Sequence, residues 1–254
     1  MINWRGLYTL FAKEVWRFVK VAVQTILTPV VTVMLYLLIF SSVLSEKVEV
    51  YQGINYTMFL VPGLIMMSMI QNAFANSSSS LFQSKLNGSI TFVLLAPISN
   101  VEFYTAFIGA SIMRGIFVGM GVWVAAHAFV HLPVTNLPVL LVFGVLGTGI
   151  LGTLGLIASI WAEKWDHISA FQNFVILPLS FLSGVFYSIR SLPDFWQNIS
   201  YYNPFFYMID GFRYGFLGVS DISVWISVGI VGIFFLIISF ACLLLLGSGY
   251  SLRE

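Results

Sequence analysis

Between residues 21 and 246 the chain carries six runs of about 20 or more predominantly apolar residues, at 21–44, 56–74, 103–130, 137–161, 168–188 and 222–246. Wound as a helix, each crosses roughly 30 Å of hydrocarbon. Only 8% of the 254 residues are charged and 59% are hydrophobic. Soluble proteins carry about 25% charged residues, so a water-exposed surface cannot be built from this chain. The apolar residues fall in long runs rather than evenly, as they do in lipid-facing helices. A single membrane domain over 1–254 leaves room for little else. The expected fold is all-α and integral to the membrane. It has six transmembrane helices, an N-terminal amphipathic interface helix, and a re-entrant helical hairpin between spans five and six.

Several classes fall away at once. A net charge of +1 with no basic patch argues against a nucleic-acid partner. The lone cysteine, Cys242, lies deep in the last run and permits no internal disulfide. The first run follows a segment containing Arg5, Lys13, Glu14, Arg17 and Lys20 and continues to Leu44 without a small-residue cleavage motif, so it reads as a permanent span rather than a signal peptide. Orientation follows from lysine and arginine in short loops. Placing the N-terminus inside gives the cytoplasm Arg5, Lys13, Arg17, Lys20, Lys85, Lys164 and Arg253, and leaves only Lys47, Arg190 and Arg213 outside. An even number of spans returns the C-terminus to the cytoplasm.

Three segments are not simple spans. Within 1–20, Trp4, Leu7, Phe11, Val15 and Phe18 recur at intervals of three and four, with the charges on the remaining faces. This predicts a basic amphipathic helix lying in the membrane interface; an ordinary positive flank is the plainer alternative. The segment 76–101, opening with serines 77–80, reads as a loop. Arg114, twelve positions beyond Glu102, stands about 18 Å along its helix, near mid-membrane. Such a charge faces the bundle interior, a cavity or a polar partner. Residues 190–221 are too apolar for a free loop and too interrupted for a span. Pro193 and Pro204 each open a short helix, over 193–201 and 204–217, and aromatics such as Phe195, Trp196, Tyr202 and Phe206 suit the headgroup level. Asp210 and Arg213, three apart, can meet on one face, with a surface ion pair as the bland reading.

The ordered set Ile176, Leu179, Leu182, Ser183, Val185, Leu192, Pro193, Pro204, Phe205, Tyr207 and Arg213 resembles the signature of permease subunits of type-2 ABC exporters, the ABC-2 type transporter family. Lys13-Glu14-Val15-Trp16-Arg17 is similar to the family's cytoplasmic interface helix, and Val61-Pro62-Gly63 is also familiar. Residues 86–99, within the loop 81–100, resemble the coupling element that docks on the ATPase. Many members carry a Glu where this chain has Ile90-Thr91.

The resemblance implies a permease subunit that moves an amphipathic, lipid-like, glycan or drug substrate out of the cytoplasm, located in the bacterial inner membrane. It implies two copies of a separate ATP-binding cassette ATPase subunit holding ATP and Mg, a second permease copy forming a homodimer, and contact with membrane lipids. No cofactor or metal is expected on this chain, which has no G-x-x-x-x-G-K-[ST] phosphate loop. Coupling residues are expected at Lys85, Leu94, Leu95 and Pro97, and the signature region at Ser183, Gly184, Pro193, Pro204, Tyr207, Asp210 and Arg213.

Two other readings compete. An intramembrane enzyme is disfavoured. Phe181-Leu182-Ser183-Gly184 lacks the first glycine of a serine-protease G-x-S-G, no histidine falls in the last span, and His127 with His131 lacks companion ligands. An ion-coupled carrier or channel not driven by ATP needs intramembrane acids, whereas Arg114 is the only central charge.

Overall fold

The computed structural model describes residues 3–44, 49–51 and 53–249. Of the lysines and arginines that orient the chain, Lys47 and Arg253 lie outside the described residues. Regular structure is helical except for a short antiparallel pairing of β1 (Glu49–Tyr51) with β2 (Ile54–Asn55). Among the described residues, five helices are long and apolar enough to cross a membrane: α2 (Ala22–Leu44), α3 (Tyr56–Leu86), α5 (Asn100–Ala126), α6 (Leu137–Trp161) and α11 (Val224–Ser248). Shorter helices are α1 (Trp4–Val19), α4 (Ile90–Leu95), α7 (Trp165–Phe171), α8 (Leu177–Phe181), α9 (Asp194–Tyr201) and α10 (Pro204–Leu217).

The expected span at 168–188 is met only in part. A π turn at Gln172–Ile176 joins α7 to α8, so helical structure runs from 165 to 181 and covers about 25 Å. Beyond it the chain turns through Gly184, whose φ of +75° is left-handed and open to glycine. The span expected at 103–130 ends at Ala126, with 127–130 beyond the helix.

The second run is corrected in the opposite direction. Far from opening a loop at 76, α3 continues to Leu86, so that 81–86 of the expected coupling loop is helix. Serines 77, 78 and 80 are buried. Ser78 Oγ donates to the Phe74 carbonyl at 2.7 Å, and Ser77 Oγ crosses to the Gly152 carbonyl of α6 at 2.6 Å. Hydroxyls satisfied in this way survive inside a membrane helix, and the Ser77 bond ties two helices together.

This long helix is the axis of the bundle, packed by α2, α5, α6 and α10. Its closest approach, to α6, depends on Gly155. A Cβ there would stand 2.5 Å from the Phe74 carbonyl oxygen and would also strike Ser77 Oγ. Small residues at such crossings let backbones meet where lipid supplies no hydrophobic drive. Around the crossing sits the main core, including Ile70, Phe74, Phe143 and Ile150.

In α1 the buried stripe is Leu10, Glu14 and Phe18, and the helix packs against α5 with the Phe11 ring over Gly109. Trp4 at the start of the helix is exposed, as are Tyr8 and Trp16, whereas Phe18 is buried. Glu14, expected on the polar remainder, is fully buried, with Lys13 Nζ at 3.2 Å and Arg17 Nε at 3.4 Å. The burial of this acid follows from docking on protein, where two cations replace its water.

Candidate functional site

The expected site residues divide between the two ends of α3. At the Leu86 end, α4 is a six-residue helix whose outer side is apolar and exposed: Phe92 is 78% and Leu95 77% accessible, with Leu94 and Pro97 also outward. Ile90 turns inward into a second core cluster, while Thr91 beside it is exposed. A cleft of about 600 Å³ opens between this segment and the end of α11, lined by Lys85, Ile90, Leu94, Leu95, Phe103 and Leu246.

The chain is fastened on either side of α4. Lys85 Nζ donates to the carbonyls of Ser159, Ile160 and Ala162 at 3.2, 2.8 and 3.0 Å, capping the negative C-terminal end of α6. On the other side, Glu102 completes a capping box with Ser99, accepting the Ser99 N–H at 2.6 Å, while its other oxygen accepts the Asn3 N–H. Asn3 Nδ2 in turn donates to the Pro97 carbonyl at 3.0 Å, and Asn3 Oδ1 caps α1 by accepting the Gly6 N–H. The start of α1, the α4 segment and the start of α5 thus share one polar knot.

At the Tyr56 end the signature residues converge. Val61-Pro62-Gly63 meets Val185, where a Cβ on Gly63 would stand 3.1 Å from Val185 Cα. Arg213 is buried, its Nη2 donating to the Gly184 carbonyl at 2.6 Å and its guanidinium lying 3.8 Å above the Phe59 ring. Asp210 stands 3.8 Å from it, also buried, and accepts the backbone N–H groups of Asp221 at 2.8 Å and Ile222 at 3.2 Å. The surface ion pair is therefore corrected: α10 is sunk into the core among Phe205, Phe206 and Phe212, and the pair is taken out of water with it.

Asp221 extends the network, accepting from Tyr51 Oη and Ser188 Oγ at 2.7 Å each and from the Ile189 N–H at 3.1 Å, with Arg190 Nε at 3.6 Å. Tyr51 lies outside the long helices; its burial, followed by its bond to Asp221, pushes the phenol above its ordinary value. Ser183 is buried and donates to the Ser180 carbonyl, a helix-end bond rather than a nucleophile's arrangement. Tyr207 reaches the Tyr201 carbonyl at 2.9 Å, and Pro204 opens α10 at its first position. Pro193 falls one residue earlier than expected, as the cap of an α9 that leaves Phe195, Trp196 and Tyr202 exposed. The aromatics of 190–221 accordingly divide, outward on α9 and into the core on α10.

Midway along the bundle, Arg114 Nη2 donates to Asn72 Oδ1 of α3 at 3.2 Å. One turn further along α3, Asn76 receives Arg17 Nη2 on Oδ1 at 2.8 Å and on its carbonyl at 2.7 Å. Asn3, Glu14, Asn72, Asn76, Glu102 and Asp221 were not singled out as site residues from sequence. Only Glu102 left a local signal there, the S-x-x-E of a capping box. Among the described residues no cluster of three or more His, Cys, Asp and Glu could hold a metal ion.

Comparison with known proteins matches residues 5–217 to the ABC-2 type transporter family. The inner membrane transport permease YadH of Escherichia coli (strain K12) is 38% identical over 253 residues, covering 100% of this chain and 99% of its own length. Nodulation protein J of Rhizobium leguminosarum bv. viciae is 24% identical over 224 residues, 86% of this chain and 85% of that protein. Nodulation protein J of Rhizobium meliloti (strain 1021) is 23% identical over 212 residues, 83% and 80%. The family match takes in α4, Glu102 and the buried pair on α10, and with that coverage the chain belongs to the ABC-2 type transporter family.

Proposed function

We propose that this chain is the permease subunit of an ATP-driven exporter, receiving force at α4 from a separate ATP-binding cassette subunit that holds the ATP and Mg. The observation that carries this reading is the exposed apolar side of α4, set between two fastened flanks: Lys85 at the end of α3, bonded to α6, and the Pro97–Ser99 turn, bonded to Asn3 and Glu102 at the starts of α1 and α5. A docking surface that was loosely attached would absorb a push; one whose two flanks are bonded to neighbouring helices passes it on. The chain's lack of a phosphate loop agrees with hydrolysis elsewhere.

In this reading the protein sits in the bacterial inner membrane with both termini cytoplasmic, which the lysine and arginine asymmetry supports. Residues 165–188 form the sixth crossing, completed by the α9–α10 hairpin dipping in from outside, and α1 lies at the inner interface. Two ATPase copies and a second copy of this chain complete the assembly, with the substrate path at the permease seam. The largely unpartnered outer faces of α2 and α11, with Leu27, Leu35, Leu236 and Phe240 exposed, suit lipid or that second copy. The cargo is amphipathic: a lipid, glycolipid or drug-like molecule.

Purification with native neighbours tests the proposal. The chain should bring down an ATPase with vanadate-sensitive activity, and Phe92→Asp with Leu95→Asp should abolish the association while the permease stays folded. Transport that persisted with no ATPase present would overturn it in favour of an ion-coupled carrier.

A further inference from the structure

A hollow of about 410 Å³ opens into the bundle between α2, α3 and α5, with Arg114 at its inner end. Its polar lining is Gln24 and three threonines of α2, Ser68, Gln71 and Asn72 from α3, and Arg114 from α5. No carboxylate lines it. Arg114 Nε and Gln71 Nε2 are buried and lack a hydrogen-bond partner among the described residues. Buried donors left without acceptors inside a membrane domain are costly, and a guanidinium there is costlier still. The excess is entirely on the donor side, and the missing chemistry is therefore an anionic oxygen.

The hollow also has an approach. A second depression, lined by Lys20, Val23, Gln24 and Leu27 among others, shares Val21, Gln24 and Thr28 with the first. The two form one groove from the corner between α1 and α2 to Arg114. Two cations line it, Lys20 at the entrance and Arg114, held by Asn72, at the inner end. The nearby acid Glu14 is already engaged by Lys13 and Arg17. Beside the polar stripe of Gln24, Thr28 and Thr32, spaced four apart on α2, Val23, Leu27 and Val31 form an exposed apolar ridge. A headgroup in the groove would leave its tail along that ridge, in lipid, which a free ion does not need.

We infer that the groove ending at Arg114 binds the anionic headgroup of an amphiphile, a phosphate- or sulfate-type group on an apolar tail, taken up from the leaflet beside α1. The inference rests on the transport reading only in making that amphiphile the cargo; binding itself requires no partner subunit.

The probe is dodecyl phosphate, titrated into the full chain purified in dodecyl maltoside and followed by native mass spectrometry. Wild type should prefer it to dodecylphosphocholine, and Arg114→Gln should weaken binding about tenfold, as loss of a charged hydrogen-bond donor does. Arg114→Lys should keep most of the selectivity, and Gln71→Leu, which leaves the arginine in place, should weaken binding less. Unfolding midpoints of all variants report folding, and if Arg114→Gln does not fold, the lysine and Gln71 variants decide. Equal binding of both detergents, or unaltered binding in the Arg114 and Gln71 variants, overturns the inference. Displacement by inorganic phosphate at equal concentration overturns it in favour of a free-anion site. In vesicles of phosphatidylcholine with an equal share of phosphatidylglycerol, retained dodecyl phosphate binding supports cargo. Loss of binding there assigns the groove to a resident lipid headgroup and overturns the cargo assignment. Failure to bind while an ATPase co-purifies would sink this site and leave the transport reading standing.

Discussion

The carboxylate of Glu102 accepts the backbone N–H of Asn3, joining the first turn of α5 to the first turn of α1. Its other oxygen serves Ser99, so one side chain closes two helix starts and brackets the segment between α4 and α5. Replacing it separates elements that are distant in sequence and adjacent in function. Glu102→Ala should make the N-terminal segment cleavable by protease in detergent and uncouple ATP hydrolysis from transport without abolishing ATPase binding. Glu102→Gln keeps one acceptor and should lie between the two. Unchanged proteolysis and coupling in Glu102→Ala would remove the knot from the mechanism.

The α3–α6 crossing gives a contrast between two glycines on one helix. At Gly155 an added Cβ meets backbone, the Phe74 carbonyl oxygen at 2.5 Å, which cannot step aside without moving α3. At Gly147 the obstacle is the Met66 methyl, the far end of a flexible side chain. Gly155→Ala should cost about 1–3 kcal/mol, the range for overpacking a tight core. Gly147→Ala should cost distinctly less, and unfolding midpoints in detergent measure both.

Asp210 and Arg213 give a third prediction. Each is buried, so Arg213→Met leaves a carboxylate and Asp210→Asn leaves a guanidinium without its compensating charge. Removing one partner of such a pair costs about 3–5 kcal/mol. The double variant should recover part of this, and Arg213→Lys little, because an ammonium cannot both lie flat on Phe59 and reach the Gly184 carbonyl. Thermal unfolding of the four proteins tests it; additive losses would mean that the two side chains act independently.

Apolar run length located α2, α3, α5, α6 and α11 because lipid demands a helix of a given length. It missed the last twelve residues of α3, since serine and asparagine lower hydropathy whether or not their hydroxyls and amides are satisfied inside. Ser77 finds the Gly152 carbonyl and Asn76 finds Arg17, partners far away in sequence. The same distance hid the burial of Asp210, whose acceptors are filled by the amides of Asp221 and Ile222. Of the stripe expected on α1, Phe11 and Phe18 pack on α5 while Trp4 stays exposed, and spacing alone could not divide them. Spacing identifies a helix, but whether its apolar side meets lipid or α5 depends on Gly109 and Phe117, which lie beneath Phe11 and Phe18. Local signals were sufficient for elements closed within themselves, and insufficient wherever a charge is paid for across the fold.

Tyr51 supplies a prediction whose sign is set by titration. Its hydroxyl donates to Asp221 Oδ1 at 2.7 Å, and burial together with that bond raises the phenol above its ordinary value. The folded protein therefore holds the phenolic proton more tightly than the unfolded chain, where it leaves near pH 10. The stability from this bond is full below about pH 10 and declines as pH rises beyond it, because only the unfolded state gains by ionising. Tyr51→Phe lacks the bond at every pH and should lose about 1.5 kcal/mol, the lower end for a hydrogen bond to a charged group, since Ser188 and Ile189 still serve Asp221. The difference in unfolding midpoint between wild type and Tyr51→Phe should stay constant from about pH 6 to 9 and shrink above about pH 10. Taking the difference removes the alkaline titration of the lysines, which both proteins share. A difference that stayed flat through that upper range would mean that Tyr51 ionises equally in both states and that Asp221 is not its partner in solution.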